Sequence, residues 1–153
     1  MKYEINEGTL AILPIDSEKS KVFEDEREYV ITESPYKILD ESCKYFGSSY
    51  KGRKEGAKSI LGDGYKIPIL VEDGRNIVFF PTISPFDKDC IWLSSKNIRY
   101  ILPIDDFTSK VIFNNSQEIQ VPVSYRSLEN QLFRATRLES VVRNRKNNKN
   151  MQN

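Results

Sequence analysis

Glycines, serines and basic side chains crowd together in residues 46–56, with the sequence FGSSYKGRKEG. The stretch from Gly47 to Gly52 has the G-x-x-x-x-G spacing of a phosphate-binding loop. Such a loop requires a lysine directly after the second glycine and then a serine or threonine, whereas Arg53 and Lys54 follow here. The loop should also follow a buried strand, and this segment follows a predicted helix. We therefore do not expect a nucleotide-binding site.

Four basic residues of this region are candidates for contacts with nucleic-acid phosphates. They are Lys51, Arg53, Lys54 and Lys58. Ser48 and Ser49 supply hydroxyl donors, and glycine allows a backbone to approach a phosphate closely. The alternative is a solvated connection between a helix and a strand, where glycine and lysine are both common. The segment alone does not decide between the two interpretations.

A second candidate surface lies on a helix predicted over residues 125–143. At about 100° per residue, its apolar residues fall on one arc: Tyr125, Leu128, Leu132, Ala135, Leu138 and Val142. Three arginines fall on the opposite arc: Arg126, Arg134 and Arg137. The alternative is simply the solvated side of an amphipathic helix. Phe133 beside these arginines is interpreted as a dimer contact, ahead of an apolar wedge between bases or an isolated exposed aromatic.

The formal net charge of +1 hides an uneven distribution of charge along the chain. Residues 1–40 carry five Lys/Arg and ten Asp/Glu. Residues 41–60 carry five against two, and residues 111–153 carry seven against three. The two basic blocks could converge into one patch that binds a polyanion. The alternative is that charge fluctuates along solvated surfaces without a partner.

Several kinds of chemistry are excluded or disfavoured. The chain has no histidine, and Cys43 and Cys90 are far apart without a C-x-x-C motif. This composition excludes a Ser-His-Asp triad and argues against structural zinc. The acidic pairs at 87 and 89 and at 105 and 106 are typical of solvated turns. We expect no enzyme activity, no cofactor and no metal, and two reduced, buried thiols.

Hydrophobic patterning predicts the α+β class, with a mainly antiparallel β-sheet, a helix near residues 34–46 and a C-terminal amphipathic helix. Ser34 is a good N-cap for the first helix, Pro35 suits its first turn, and Gly47 supplies a stop. Strands are predicted over residues 9–15, 28–32, 66–71, 76–81, 89–94, 97–104, 110–113 and 118–123. The sequences EDGR and NNSQ predict hairpin turns between neighbouring strands.

The sequence lacks features of membrane insertion or export. Its longest apolar runs are about five residues, far shorter than a membrane-spanning helix needs. The N-terminal sequence MKYEINEG has no apolar core like that of a signal peptide. We therefore expect a cytoplasmic protein without a membrane partner.

Taken together, several segments resemble one protein family. In order along the chain they are SCKYFGSSYKGRKEG, KIPILV, FFPT, CIWLS and SYRSLENQL. They resemble the ComK family of competence transcription factors over about residues 9–140, and the block from Ser42 to Gly56 is the most specific part. The ordered series carries the resemblance better than any single block.

The resemblance implies a bacterial DNA-binding activator that turns on genes for DNA uptake. Family members bind paired A/T-rich boxes largely through the minor groove, as dimers that assemble on DNA. Residues 1–143 are then expected to form a single ComK-like DNA-binding domain, followed by a disordered polar tail over residues 144–153. Because A·T tracts narrow the minor groove and deepen its negative potential, Arg and Lys suit this mode of binding.

The resemblance also leads to expectations about partners. Besides DNA, we expect a second copy of the chain, and RNA polymerase is considered as a further contact. Family members usually continue beyond the closing helix, and a proteolytic adaptor recognises that extension. Because the sequence stops at Asn153, adaptor control is not expected. The alternative function is a regulatory partner that has lost DNA binding and heterodimerises with a full-length homologue.

Overall fold

The computed structural model describes residues 2–64 and 66–151, with side chains up to residue 148. This part of the chain contains nine strands and three α-helices. The helices are α1 (Pro35–Tyr45), α2 (Tyr50–Leu61) and α3 (Tyr125–Met151). The strands are β1 (Thr9–Asp16), β2 (Lys19–Glu24), β3 (Arg27–Ile31), β4 (Ile69–Glu72), β5 (Ile77–Pro81), β6 (Trp92–Ser94), β7 (Ile98–Pro103), β8 (Ser109–Phe113) and β9 (Glu118–Val121).

The strands form two antiparallel sheets. The larger sheet has the order β3-β2-β1-β6-β5-β4, and the smaller sheet has the order β7-β8-β9. Consecutive strands pair as hairpins or meanders, and the pairing of β1 with β6 joins the two halves of the larger sheet. A short 3-10 helix, Ser95–Asn97, leads from β6 into β7. The predicted α+β class with mainly antiparallel pairing is confirmed.

The larger sheet lies between two hydrophobic cores because consecutive strand residues face opposite sides of a sheet. Phe79 packs with Ile38 and Leu39 of α1 on one side. Its neighbour Phe80 packs on the other side with Leu128 of α3 and with residues of the smaller sheet. Helix α1 and helix α3 therefore cover opposite faces of the larger sheet.

Two elements were not predicted from the sequence. Strand β2 buries only Ser20 and Val22 fully, so it shows too few apolar residues for a clear strand signal. Helix α2 occupies the segment for which a solvated connection was one interpretation. Ser49 caps this helix by accepting a hydrogen bond from the Gly52 amide at 3.0 Å. Two glycines and three lysines in its sequence obscure the helical pattern.

Helix α3 continues to Met151, well past the predicted end at Arg143. It therefore includes most of residues 144–153, where we predicted a disordered tail; residues 152 and 153 lie outside the described part. Neither glycine nor proline follows Arg143 in the sequence. Lys146 Nζ also donates to the Asp73 carbonyl at 3.0 Å, which ties the helix to the β4–β5 turn. These features explain why the helix does not stop at the predicted residue.

The predicted hairpin turns and the predicted end of α1 at Gly47 are present, but the residue with positive φ in the β4–β5 turn differs from the expected glycine. Gly47 has a φ of 89° and follows the last turn of α1, as expected for a helix stop. In the β4–β5 turn the left-handed residue is Asn76, with a φ of 56°, and not the glycine of the Asp-Gly pair. Asparagine adopts this region more readily than most residues.

Candidate nucleic-acid interface

Helix α2 is held in place at its first residue by α1. The Asp40 carboxylate of α1 accepts a hydrogen bond from the Tyr50 amide at 2.9 Å and pairs with Lys44 at 3.0 Å. Burial raises the pKa of Asp40, but the Tyr50 amide and Lys44 outweigh that effect and hold it below its usual value. The Tyr50 ring is buried and forms a T-shaped pair with Trp92, with ring centroids 6.1 Å apart. The position of the basic residues on α2 is therefore fixed by the core.

The four predicted basic residues of α2 separate onto two flanks of the helix. Tyr50 and Ala57 are its buried residues and define the side that faces the core. At about 100° per residue, one flank carries three lysines, namely Lys51, Lys54 and Lys58. The other flank carries Arg53, together with two glycines and Ile60. Arg53 and Lys54 are neighbours in sequence but lie on opposite flanks of α2.

Arg53 lies in a concave site between α2 and α3, which we call the α2–α3 groove. Its volume is about 300 Å³. Its lining is formed by Ser48, Gly52, Arg53, Gly56, Ala57, Ser59, Ile60, Leu70, Asp73, Leu138, Val142 and Arg145. Arg53 belongs to the first basic block of the sequence and Arg145 to the second. One residue of each basic block thus lies at this groove, whereas the other basic residues predicted from the sequence do not line it.

The groove has an excess of positive charge. Asp73 is the one acidic residue in its lining, and Lys146 lies 4.0 Å from the Asp73 carboxylate. The Nε atom of Arg53 is buried and makes no hydrogen bond to any described residue. Arg53 and Arg145 both line this concave surface, and an anion with several oxygen atoms is the kind of ligand that arginine suits.

Arg134 has an internal role that the helical wheel did not predict. Its Nη1 atom donates to the Lys66 carbonyl at 3.1 Å and to Gln131 Oε1 at 3.2 Å. The side chain of Gln131 is buried and also donates to the Pro81 carbonyl at 3.1 Å. Gln131 was not identified from the sequence because a single polar residue beside an apolar arc gives no signal. Arg134 and Gln131 connect α3 to the segment that follows α2.

Arg126 and Arg137 lie on the side of α3 that faces away from the core. Phe133 lies between them on the same side and is 72% exposed. Helical spacing places these three residues opposite the buried Leu128 and Ala135. The structure therefore does not bring Arg126 and Arg137 together with the basic residues of α2.

Metal-binding and reactive-thiol sites are the alternatives to a nucleic-acid interface. Within residues 2–64 and 66–148, no three His, Cys, Asp or Glu side chains are grouped so that they could hold a metal ion. Cys43 and Cys90 are free and buried, and burial raises the pKa of Cys43 to about 12. Nor does the described structure contain a helix with the length and apolarity to cross a membrane.

Comparison with known proteins identifies the family. The family model described as "ComK protein" matches residues 1–147. The chain belongs to the ComK family. A curated relative, the competence transcription factor of Bacillus subtilis (strain 168), is 35% identical over 146 residues, which covers 94% of this chain and 76% of the relative. No solved structure matches the chain. The family that the sequence motifs indicated is therefore confirmed, and the match covers nearly the whole chain.

Proposed function

We propose that this chain is a DNA-binding transcriptional activator of competence genes, which act in DNA uptake. The proposal rests first on its similarity to the Bacillus subtilis competence transcription factor. The structural observation that carries it is the α2–α3 groove, where Arg53 and Arg145 line one concave surface. Duplex DNA presents a regular row of phosphates, and arginine is well suited to bind them.

The proposed mode of binding is mainly through the minor groove of A/T-rich promoter boxes. Such tracts have a narrow minor groove whose negative potential attracts inserted arginine and lysine side chains. The candidate contacts are Lys51, Arg53, Lys54 and Lys58, and the α2–α3 groove adds Arg145. Arg126, Arg134 and Arg137 rank behind them, because Arg134 is bound to the Lys66 carbonyl and the other two lie apart from α2. Arg53 and Arg145 are the pair we rank first, because they share a concave surface. This function acts in the cytoplasm and requires no enzyme activity.

Gly56 provides further support for close approach of a DNA backbone at this groove. It lies inside helix α2, where glycine costs about 1 kcal/mol relative to alanine. A Cβ atom at Gly56 would meet no described atom within 4 Å, so packing within the chain does not require a glycine. A DNA backbone that passes close to helix α2 would explain why residue 56 is glycine, which has no side chain to obstruct the approach.

The proposal includes self-association and a contact with RNA polymerase. An activator that binds paired boxes needs two copies of its domain at a defined spacing. The exposed Phe133 provides an apolar side chain outside the α2–α3 groove for such a contact. The contact with RNA polymerase is proposed because binding the polymerase is one way in which an activator can act.

A binding titration tests the DNA proposal. Fluorescence anisotropy should show tighter binding to A/T-box promoter DNA than to G/C-rich DNA of equal length. A drug that occupies the minor groove should displace the protein from the A/T-box DNA. Equal affinity for the two DNAs, or no displacement by the drug, would contradict minor-groove recognition.

A second candidate function is a regulatory partner that heterodimerises with a homologous activator and does not bind DNA. The near-neutral net charge of +1 and the exposed Phe133 favour this candidate. It predicts association with the homologue together with a loss of that homologue from its DNA. Measurable affinity of the isolated chain for promoter DNA would exclude it.

A further inference from the structure

The β7–β8 hairpin presents apolar side chains to solvent on its outer face. Tyr100 and Leu102 alternate with the buried Ile101, and Ile104 follows them toward the turn. Each of the three outer residues is more than two-fifths exposed. An antiparallel sheet that faces water normally carries polar residues on that side. On β8 the same face carries Lys110, which lies opposite Leu102 and pairs with Glu118 of β9 at 3.5 Å. The exposed apolar side chains are therefore grouped along β7, and such a group is typical of a surface that another molecule covers.

The turn of this hairpin ends in an exposed aromatic ring beside two acidic residues. Phe107 is 80% exposed and directly follows Asp105 and Asp106. The turn is closed by hydrogen bonds from the Ile104 amide to the Thr108 carbonyl at 2.9 Å and from the Phe107 amide to Asp105 Oδ1 at 2.8 Å. Neither carboxylate pairs with a cation in the described structure. The turn thus holds an aromatic ring and two negative charges outward.

The outward side of α3 carries two arginines around a similar ring, and Glu129 also lies beside that ring. Phe133 is 72% exposed and lies between Arg126 and Arg137. Neither arginine pairs with a carboxylate among the side chains described up to residue 148. Because Phe107 and Phe133 both remain largely exposed, the two rings do not bury each other within one chain.

We use the name β7–α3 surface for the outer face of the β7–β8 hairpin, including its turn, together with the outward side of α3. A cavity of about 340 Å³ lies between them, and Tyr100 of β7, with Tyr125 and Phe133 of α3, contributes to its lining. A surface that carries both halves of a complementary pair can contact a copy of itself around a two-fold axis.

We propose that a second copy of this chain docks on the β7–α3 surface, with the hairpin turn of each copy against α3 of the other. Asp105 and Asp106 of one copy then face Arg126 and Arg137 of its partner, and Phe107 packs beside Phe133. The proposal rests on the self-association included in the proposed function. It assigns Arg126 and Arg137 to the partner copy and leaves the α2–α3 groove for DNA.

Two charge-reversal variants, measured alone and as a mixture, test this contact. One variant carries Asp105→Lys with Asp106→Lys, and the other carries Arg126→Glu with Arg137→Glu. Each variant alone places like charges opposite each other twice in a two-fold dimer, so its dimer dissociation constant should rise on the order of 100-fold. An equimolar mixture places opposite charges at both contacts and should restore association. Sedimentation velocity of the full chain without DNA provides the measurement.

The controls separate this proposal from misfolding and from the DNA proposal. All four residues are exposed, so the thermal midpoint of each variant should stay near that of the wild type. Asp87→Lys with Asp89→Lys changes a matched acidic pair beside the exposed Phe86 and should leave association unchanged. Because no DNA is present, a failure of DNA recognition does not affect the result.

Three outcomes would overturn the proposal. The first is a wild-type chain that stays monomeric at about 100 µM, a concentration at which any contact with a micromolar dissociation constant is populated. The second is undiminished self-association of either exchanged variant. The third is a mixture that does not associate, which would mean that the two charged pairs do not meet. If the second outcome is accompanied by loss of RNA polymerase binding, the surface is assigned to the polymerase instead.

Discussion

The α2–α3 groove and the β7–α3 surface are both exposed and both carry arginine, yet they differ in what surrounds the charge. The groove is concave, has glycine in its lining and has no aromatic residue there. The β7–α3 surface has two largely exposed phenylalanines, one beside two aspartates and the other beside two arginines and Glu129. The α2–α3 groove suits a polyanion whose backbone atoms approach the helix closely. The β7–α3 surface suits contact with another protein surface. Positive charge alone therefore does not identify a DNA contact in this chain.

The largest effect is expected from removing the two arginines of the α2–α3 groove. Arg53→Ala with Arg145→Ala should weaken binding to A/T-box DNA on the order of 100-fold, since each charge-assisted hydrogen bond contributes about 1.5 kcal/mol or more. The slope of log K against log salt should fall by about two, one unit for each lost phosphate contact. Anisotropy titrations at four salt concentrations provide both values.

The matched control removes the same number of charges from the other surface. Arg126→Ala with Arg137→Ala should leave the salt slope per bound copy unchanged if those residues contact a partner copy. A slope that falls equally in both double variants would remove the distinction between the two surfaces. A slope that falls only in the control would transfer the DNA contact to the outward side of α3.

The second largest effect is expected from Phe133→Ala. A central aromatic residue of an interface typically contributes about 2 kcal/mol, so the dimer dissociation constant should rise roughly 30-fold. The stability of the monomer should change by less than about 0.5 kcal/mol, because the ring is 72% exposed. Sedimentation equilibrium measures the first quantity and urea denaturation the second. Phe86→Ala, at another exposed aromatic, should leave association as it is, and a comparable loss there would reject the assignment of Phe133.

A smaller effect is expected from filling the glycine position in the groove. Gly56→Ala should stabilise helix α2 by about 1 kcal/mol, because alanine is the better helix former. Gly56→Leu should keep the fold, since a Cβ there meets no described atom within 4 Å, but should reduce DNA affinity roughly tenfold, about the effect of one lost contact. Thermal melting and anisotropy measure the two quantities. Full affinity in the leucine variant would mean that no DNA backbone approaches Gly56.

The sequence predicted the larger features of the fold because they have strong local signals. The capping serine and the glycine stop of α1 each have a direct structural counterpart. Helix α2 was not predicted, because its buried side consists of little more than Tyr50 and Ala57 and its interior contains two glycines. Its helical form depends on contacts with α1 and the core, which sequence periodicity does not report.

Of the basic residues predicted from the sequence, only Arg53 lines the α2–α3 groove. Arg53 was identified from the basic cluster, whereas Arg145 was not, because α3 was expected to end at Arg143. A helical wheel placed Arg134 with Arg126 and Arg137. The wheel gives angles around one helix and contains no information about which flank a neighbouring segment covers. Only the packing of α3 beside the segment after α2 separates Arg134 from the other two arginines.

The smallest effect concerns Asp40, which holds α2 and therefore the groove but not the β7–α3 surface. Its carboxylate accepts the Tyr50 amide and pairs with Lys44, and these contacts hold its pKa below the usual value despite burial. A carboxyl group with a lowered pKa in the folded state adds stability above its unfolded pKa of about 3.9, and this stability is lost as the pH falls through the folded value. Asp40→Asn should therefore destabilise the chain by about 1 kcal/mol at pH 7.

That difference should persist at pH 5 and shrink below pH 4, as the wild-type carboxyl group becomes protonated. Urea denaturation of both proteins at pH 7, 5 and 3 measures it. DNA affinity of the Asn variant should fall a few-fold at pH 7, because α2 is less firmly held, whereas self-association should stay unchanged. A stability difference that is independent of pH would mean that Asp40 acts through packing and not through its charge. A parallel loss of self-association would show that the α2–α3 groove and the β7–α3 surface are coupled through the fold.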